Sequence, residues 1–155
     1  MTTELLTQLW QFNQASASGP VNKLTPDNYR NRLTLETASA GFIALHTAEV
    51  MHRFALMLFG REVAIPLQAV GGVSDDGKPL DLALVRQLFD DSFAMITAHI
   101  QQTTDEQWAG IVPSPFGDVS RMQLLTFLMH HNSYHAGQLA QAIKKGTTFA
   151  VPEQV

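Results

Sequence analysis

Apolar residues recur at helical spacing in four long segments, which are separated by stretches rich in Gly, Pro, Asn and Asp. The segments run from about 3 to 17, 37 to 59, 81 to 103 and 121 to 145. Strand-like alternation is scarce. The pattern therefore predicts an all-α fold, a four-helix bundle, whose two long connections leave a crossover order open.

The first helix has an apolar stripe and residues suited to its ends. Thr3 is a candidate N-cap, and Gly19–Pro20 is expected to end the helix. The predicted inward stripe consists of Leu5, Leu6, Leu9, Trp10 and Phe12.

End signals are clearer in the other three helices. Gly60 is expected to stop the second helix, and Asp81 to cap the third. Ser120 followed by Gln123 is a capping-box pattern for the fourth, which Gly146 closes.

The connections carry turn residues rather than a periodic pattern. The segment Tyr29–Leu35 fits either an extended or a helical conformation. Residues 61–80 form a long irregular connection, which in a compact domain is often functional or a crossover. Two Pro and a Gly-Asp pair between Trp108 and Asp118 predict a short hairpin or extended loop before the last helix.

Composition narrows the class of protein. A chain of 155 residues with 45% hydrophobic residues predicts one domain, residues 1–155, with a sizeable core. Only 15% of residues are charged, which favours a homodimer over a well-packed monomer with a polar, uncharged surface. The net charge of −4 and the lack of a basic cluster argue against nucleic-acid binding.

The absence of Cys excludes disulfides, thiolate metal sites and a Cys nucleophile, so any thiol chemistry needs an external thiol. The first ten residues do not resemble a signal peptide, and no apolar run approaches the length of a membrane span. We therefore expect a cytoplasmic protein that does not enter a membrane.

The candidate chemistry lies in the fourth helix, where His131 and His135 are four residues apart on the apolar face. Two imidazoles so placed can share one metal ion inside a bundle. Taken alone, the pair is equally compatible with two ordinary helix residues.

A third histidine strengthens the metal hypothesis. His46 lies on the apolar stripe of the second helix, whereas His52 is expected to face outward or toward a partner subunit. Three neutral imidazoles with an open position are common at catalytic metals, with zinc favoured and nickel or iron as alternatives. Glu49, one turn beyond His46, is either a residue that orients a ligand, a base, or a solvated charge.

His130 and His99 have simpler interpretations. His130 points about 100° away from His131 and is expected at the surface or a helix interface. His99 suits the negative end of the third helix.

Three runs near the C-terminus, Ser114–Ser120, Leu124–Leu128 and His131–Leu139, closely resemble the signature of the DinB-like (DinB/YfiT) family of proposed metalloenzymes. The most specific element is His-x-x-x-His-x-Gly-Gln. Upstream, Gly41–Glu49 resembles the stretch around the family's first histidine, so the resemblance spans about residues 5 to 145.

The resemblance implies a four-helix bundle with crossover topology, frequent homodimers and a divalent metal held by His46, His131 and His135. It also implies transferases or isomerases that use low-molecular-weight thiols, and some hydrolases. Ala136 and Asn132 depart from the basic and acidic residues that many members carry there, which leaves the ligands intact but changes the surroundings.

The leading hypothesis is a divalent-metal enzyme, a thiol-dependent S-transferase or a hydrolase acting on a small molecule. The alternatives are a non-catalytic helical dimer whose metal is structural or absent, and a small-molecule-binding stress-response module.

Overall fold

A computed structural model of the chain describes residues 1–149, which are mostly helical with one small two-stranded sheet. The helices are α1 (Thr2–Val21), α2 (Ala40–Phe59), α3 (Leu82–Gln102), α4 (Asp105–Trp108) and α5 (Arg121–Lys145). The strands are β1 (Ile111–Ser114) and β2 (Gly117–Ser120). The helical character is confirmed, and residues 150–155 of the predicted domain lie outside the described residues.

The predicted caps of the later helices are confirmed. The Asp81 side chain accepts hydrogen bonds from two backbone N–H groups in the first turn of α3. Ser120 and Gln123 form a reciprocal capping box at the start of α5. Gly60 ends α2 with a φ of 69°, a left-handed conformation that residues with a side chain rarely adopt. α2 itself begins at Ala40, later than the pattern predicted.

Both predicted ends of α1 are wrong. Met1 occupies the N-cap position, and the Asp105 carboxylate accepts hydrogen bonds from the Met1 amino group at 2.8 Å and the Thr3 N–H at 2.9 Å. The cap of α1 is therefore supplied by α4, more than a hundred residues away. At the other end α1 runs through Pro20 to Val21, because a proline in the last turn removes only one backbone hydrogen bond there.

The inward face of α1 also differs from the predicted stripe. Leu5, Leu9 and Phe12 are 55%, 47% and 76% exposed. The buried positions are Leu6, Trp10, Asn13, Ala17 and Val21. Trp10 packs against Phe93 of α3 with ring centroids 4.9 Å apart, and Asn13 bonds to α5. These two contacts set the rotation of α1 about its axis.

The long helices pack in a ring around one core. α2 packs against α3 and α5, and α1 packs against the same two helices, while α1 and α2 share little or no packing. The largest fully buried side chains belong to this core: Trp10, Trp108, Phe89, Phe93, Leu125 and Leu128 are among them. The contact of α2 with α5 is the one that assembles the histidines.

The segment before α5 is a hairpin, one of the two predicted conformations. β1 and β2 are antiparallel, with Ile111 opposite Ser120 and Val112 opposite Val119. The short helix α4 was not predicted, because four residues are too few to show a helical period. It carries Trp108, whose indole N–H donates to the Thr3 hydroxyl at 2.9 Å.

Residues near Arg32, left undecided by the sequence, pair with the chain just after α5. The N–H and carbonyl of Arg32 exchange hydrogen bonds with Thr147 at 3.0 and 3.1 Å. Gly146 does follow α5 as predicted, but its φ is −81° rather than left-handed. A side chain there would collide with the carbonyl oxygens of Ala142 and Arg32, so close approach explains this glycine.

Among residues 1–149, one helix, Ala40–Phe59, is long and apolar enough to cross a membrane by length and composition alone. The 18-residue apolar window within it is 67% buried inside the fold. The central helix of a soluble domain has the same properties.

Candidate metal centre

The packing of α2 along α5 brings His46 together with His131 and His135. One ring nitrogen of each histidine lies within 4.8 Å of one from each of the others. The Nε2 atoms of His46 and His131 are 3.3 Å apart. Among residues 1–149, no fourth His, Asp or Glu donor joins this group. The group is the one that the sequence predicted, and it could hold a metal ion.

Hydrogen bonds fix the tautomers of two of these rings. The Nδ1–H of His46 donates to the carbonyl oxygen of Ala69 at 2.6 Å. The Nδ1–H of His135 donates to Oε1 of Gln138 at 2.7 Å, one helical turn away. With Nδ1 protonated, each ring keeps a lone pair on Nε2, the usual state of a histidine that binds a metal.

The surroundings of His131 and His135 lower the pKa of both rings. Burial, followed by the neighbouring His135 and His46 rings, lowers the pKa of His131 to about 3. Burial also lowers the pKa of His135, with a smaller contribution from His46 in the same direction. Both rings are therefore neutral near pH 7, the form that can bind a cation.

Neither tautomer of His131 satisfies both of its ring nitrogens with protein groups. Its Nδ1 is buried without a hydrogen-bond partner, and its Nε2 faces the Nε2 lone pair of His46. If Nδ1 carries the proton, two lone pairs face each other at 3.3 Å; if Nε2 carries it, a buried acceptor is left unpaired. A cation between the Nε2 atoms removes the lone-pair conflict, so the donor set fits a divalent metal.

Glu49 is neither a solvated charge nor part of the histidine group. Its side chain is 1% exposed, and its carboxylate accepts hydrogen bonds from the N–H of Gln68 at 3.0 and 2.9 Å and of Ala69 at 2.7 Å. The carbonyl of the same Ala69 accepts from His46. Glu49 thus fixes the peptide segment that orients His46, which corresponds to the first of the three predicted interpretations.

The Asn132 side chain of α5 points toward α1. Its Nδ2 donates to Oδ1 of Asn13 at 3.1 Å, and Asn13 donates in turn to the Met129 carbonyl and the Ser133 hydroxyl, both at 3.0 Å. Both amides are buried. This pair links α1 to α5 directly behind the histidines.

The remaining histidines lie outside the centre. His130 is exposed as predicted. The prediction that His52 faces outward or toward a partner subunit is wrong, because its Nε2 lies 3.0 Å from the Ser92 hydroxyl of α3. Ser92 donates its own proton to the Leu88 carbonyl and is fully buried, so this pair is not an activated nucleophile. His99 stacks on Phe59 near the end of α3.

A cavity of about 330 Å³ adjoins the centre. His46, His135 and Gln138 line it at one side, and the rest of the wall is formed mainly by apolar side chains and small residues from α2, α5 and the segments near residues 33–38 and 69–73. A small molecule in this cavity would touch two of the three imidazoles.

Two residues of the site were not given a role from the sequence. Gln138 belongs to the signature, and its position three residues after His135 is the spacing at which helix side chains meet. The Ala69 carbonyl left no signal, because a backbone acceptor in an irregular segment has no side-chain signature.

The comparison with known families agrees with the geometry. The sequence profile of the DinB superfamily matches residues 9–139, which include all three histidines and most of the helical ring. A search of the curated proteins found no significant match. Since the profile covers most of the sequence, the chain belongs to the DinB superfamily.

Proposed function

We propose that this protein is an enzyme that uses a divalent metal ion held by the Nε2 atoms of His46, His131 and His135. The observation that carries the proposal is the convergence of three imidazoles, two of them fixed as Nδ1–H tautomers by the acceptors Ala69 and Gln138. Zinc or nickel suits three imidazole ligands best.

An open ligand position favours catalysis over a structural metal. Structural zinc sites are closed by a fourth protein ligand, and the described chain brings no fourth acidic or histidine donor to the group. The adjoining cavity gives a substrate access to the same face. A bound divalent cation would lower the pKa of a water or thiol and polarise a carbonyl.

The chain's own residues prepare this site in three ways. Ala69 and Gln138 hold two imidazoles in the binding tautomer, and Glu49 holds Ala69. Burial keeps His131 and His135 neutral, since it lowers the pKa of both. The apolar walls of the cavity limit the water that can reach the reacting groups.

Two reaction classes fit, transfer of a low-molecular-weight thiol to a small molecule and hydrolysis of a small molecule. Because the chain has no Cys, the thiol of the first reaction comes from solution. The S-transferase is expected to consume thiol and substrate in equal amounts, whereas the hydrolase needs no thiol. A non-catalytic dimer or binding module is the alternative if neither reaction occurs with the metal loaded.

The proposal extends to assembly, topology and location. The exposed Leu5, Leu9 and Phe12 on α1 supply an apolar face that a second copy could cover, which supports a homodimer. The lack of close packing between α1 and α2, which are consecutive long helices, supports a crossover four-helix bundle. The burial of α2 supports a cytoplasmic location.

Metal analysis tests the proposal directly. Untagged wild type, His131→Ala and His130→Ala are purified, loaded with zinc or nickel, dialysed and analysed by elemental mass spectrometry. About one metal per chain is expected in the wild type and in His130→Ala, which changes the exposed neighbour. Loss of metal from His131→Ala supports the assignment; full occupancy in that variant, or no metal in the wild type, overturns it.

A further inference from the structure

The cavity beside the histidines differs in its charge from three other cavities of the described chain. None of the described residues that line it is an Asp, Glu, Lys or Arg. Three other cavities each contain at least two charged side chains: Arg32 and Asp75 line one, Asp81 and Asp91 a second, and Asp76 and Lys78 a third. The uncharged lining is therefore a property of this cavity and not of the protein as a whole.

The rest of the cavity wall is mainly apolar. Leu33, Phe42, Ile43 and Val73 are its large apolar side chains. Against this wall an ionic group would lose water without gaining a charged partner, and only an anion that reached a metal ion on the histidines would be compensated. The wall therefore selects against charged molecules.

Gln138 adds one directional polar group to this lining. Its Oε1 accepts from His135, and its Nε2 donates to no residue among those that the structure describes. A donor of this kind, beside the imidazoles, is matched by a neutral acceptor such as a ketone, ester or ether oxygen.

We infer that the substrate bound here is an uncharged, mostly apolar small molecule with a neutral acceptor oxygen at the end that meets the histidines. The inference rests on the proposed function, whose site it shares, and it adds the chemical class of the substrate. A cavity of about 330 Å³ is at the small end of those that bind such molecules. Any charged part of a thiol co-substrate then lies outside this cavity.

Three probes with the same ring system test the inference: 2-acetylnaphthalene, which is neutral, naphthalene-2-sulfonate and 2-naphthylmethylammonium. Binding is measured by fluorescence titration on the zinc-loaded protein and on the metal-free protein. In the metal-free protein the neutral probe is expected to bind at least about tenfold more tightly than either ion, a difference of about 1.4 kcal/mol. In the zinc-loaded protein the same margin is expected over the ammonium probe, whereas the sulfonate can gain the bound cation as a partner. Equal binding of the three probes to the metal-free protein, or no binding of any, overturns the inference.

Matched variants locate the binding. Val73 is 51% exposed in the cavity wall, so Val73→Asp adds a charge without cutting into the core. This variant should bind the neutral probe about tenfold more weakly and the ammonium probe more tightly. Ile111→Asp, the same kind of change at a β-branched residue that is 67% exposed on β1 and does not line this cavity, should leave all three affinities unchanged. If Ile111→Asp weakens the neutral probe as much as Val73→Asp does, the probe is not in this cavity.

Zinc affinity is measured on the same preparations so that the two proposals fail separately. Zinc binding without preference for the neutral probe overturns the substrate class and leaves the metal site standing. Preference for the neutral probe without zinc binding overturns the metal enzyme and leaves an apolar binding cavity.

Discussion

Replacing Glu49 with Gln should weaken metal binding although Glu49 touches none of the three imidazoles. Its carboxylate receives the N–H groups of Gln68 and Ala69, at distances from 2.7 to 3.0 Å, and the Ala69 carbonyl receives the Nδ1–H of His46. The substitution keeps the shape of the side chain. It changes one carboxylate oxygen into an NH₂ group, which cannot accept from a backbone N–H.

The magnitude follows from these contacts. A hydrogen bond to a charged group contributes about 1.5–3 kcal/mol. A Gln oxygen at the position of Oε2 can still accept from both N–H groups, but the NH₂ group at the position of Oε1 then faces the Gln68 N–H, and the remaining bonds lose the charge of the acceptor. We expect the free energy of unfolding of the metal-free protein to fall by on the order of 2 kcal/mol. Because the Ala69 carbonyl is then held less firmly, metal affinity should fall about 10- to 100-fold, which equals about 1.4–2.8 kcal/mol.

The assay is a competition titration of zinc against a chromophoric chelator, beside urea unfolding of the metal-free proteins. Glu62→Gln is the matched control, because it removes an exposed carboxylate from the same 61–80 segment. Its zinc affinity should equal that of the wild type. If Glu49→Gln binds zinc within about twofold of wild type while losing stability, Glu49 only anchors the loop, and the proposed link to His46 is refuted.

Three further outcomes are expected. The pKa of His131 is lowered in the folded state from 6.5 to about 3, so the unfolded chain takes up the proton first and stability of the metal-free protein falls as the pH drops below 6.5. The free energy of unfolding should fall by at most about 2 kcal/mol between pH 7 and pH 5, and by less where solvent reaches the ring. Urea unfolding of His131→Gln should lack this loss. An equal dependence of the unfolding free energy on pH in the wild type and in His131→Gln would contradict the assignment. Asn13→Ala should lower the free energy of unfolding by about 1–3 kcal/mol, because it leaves the buried Nδ2 of Asn132 unpaired. The double variant with Asn132→Ala should lose less stability than the two single variants together, and additive losses would count against the pair. Asp81→Ala should destabilise by about 1 kcal/mol through loss of the α3 cap, and an unchanged midpoint of urea unfolding would show that the cap is dispensable.

The sequence by itself determined the features that depend on local spacing. His131 and His135 share a face because a helix turns once in 3.6 residues, and His46 was placed inward by the same rule. The caps at Asp81 and at Ser120 with Gln123 were predictable because each bond joins residues two or three positions apart. Helical content and the inward faces of the three histidines followed from these short-range rules, whereas their convergence needed the packing of α2 on α5.

Tertiary structure decided everything that depends on contacts between distant segments. Asp105 caps α1 and the Ala69 carbonyl fixes the His46 tautomer, yet neither pairing leaves a pattern in the sequence around α1 or α2. The rotation of α1 was mispredicted because Leu5, Leu9 and Phe12 form an apolar stripe that rivals the buried one, and only the packing of Trp10 on Phe93 chooses between them. Local periodicity identifies the faces of a helix, but the free energy that selects one face comes from burial against partners that the chain supplies far away.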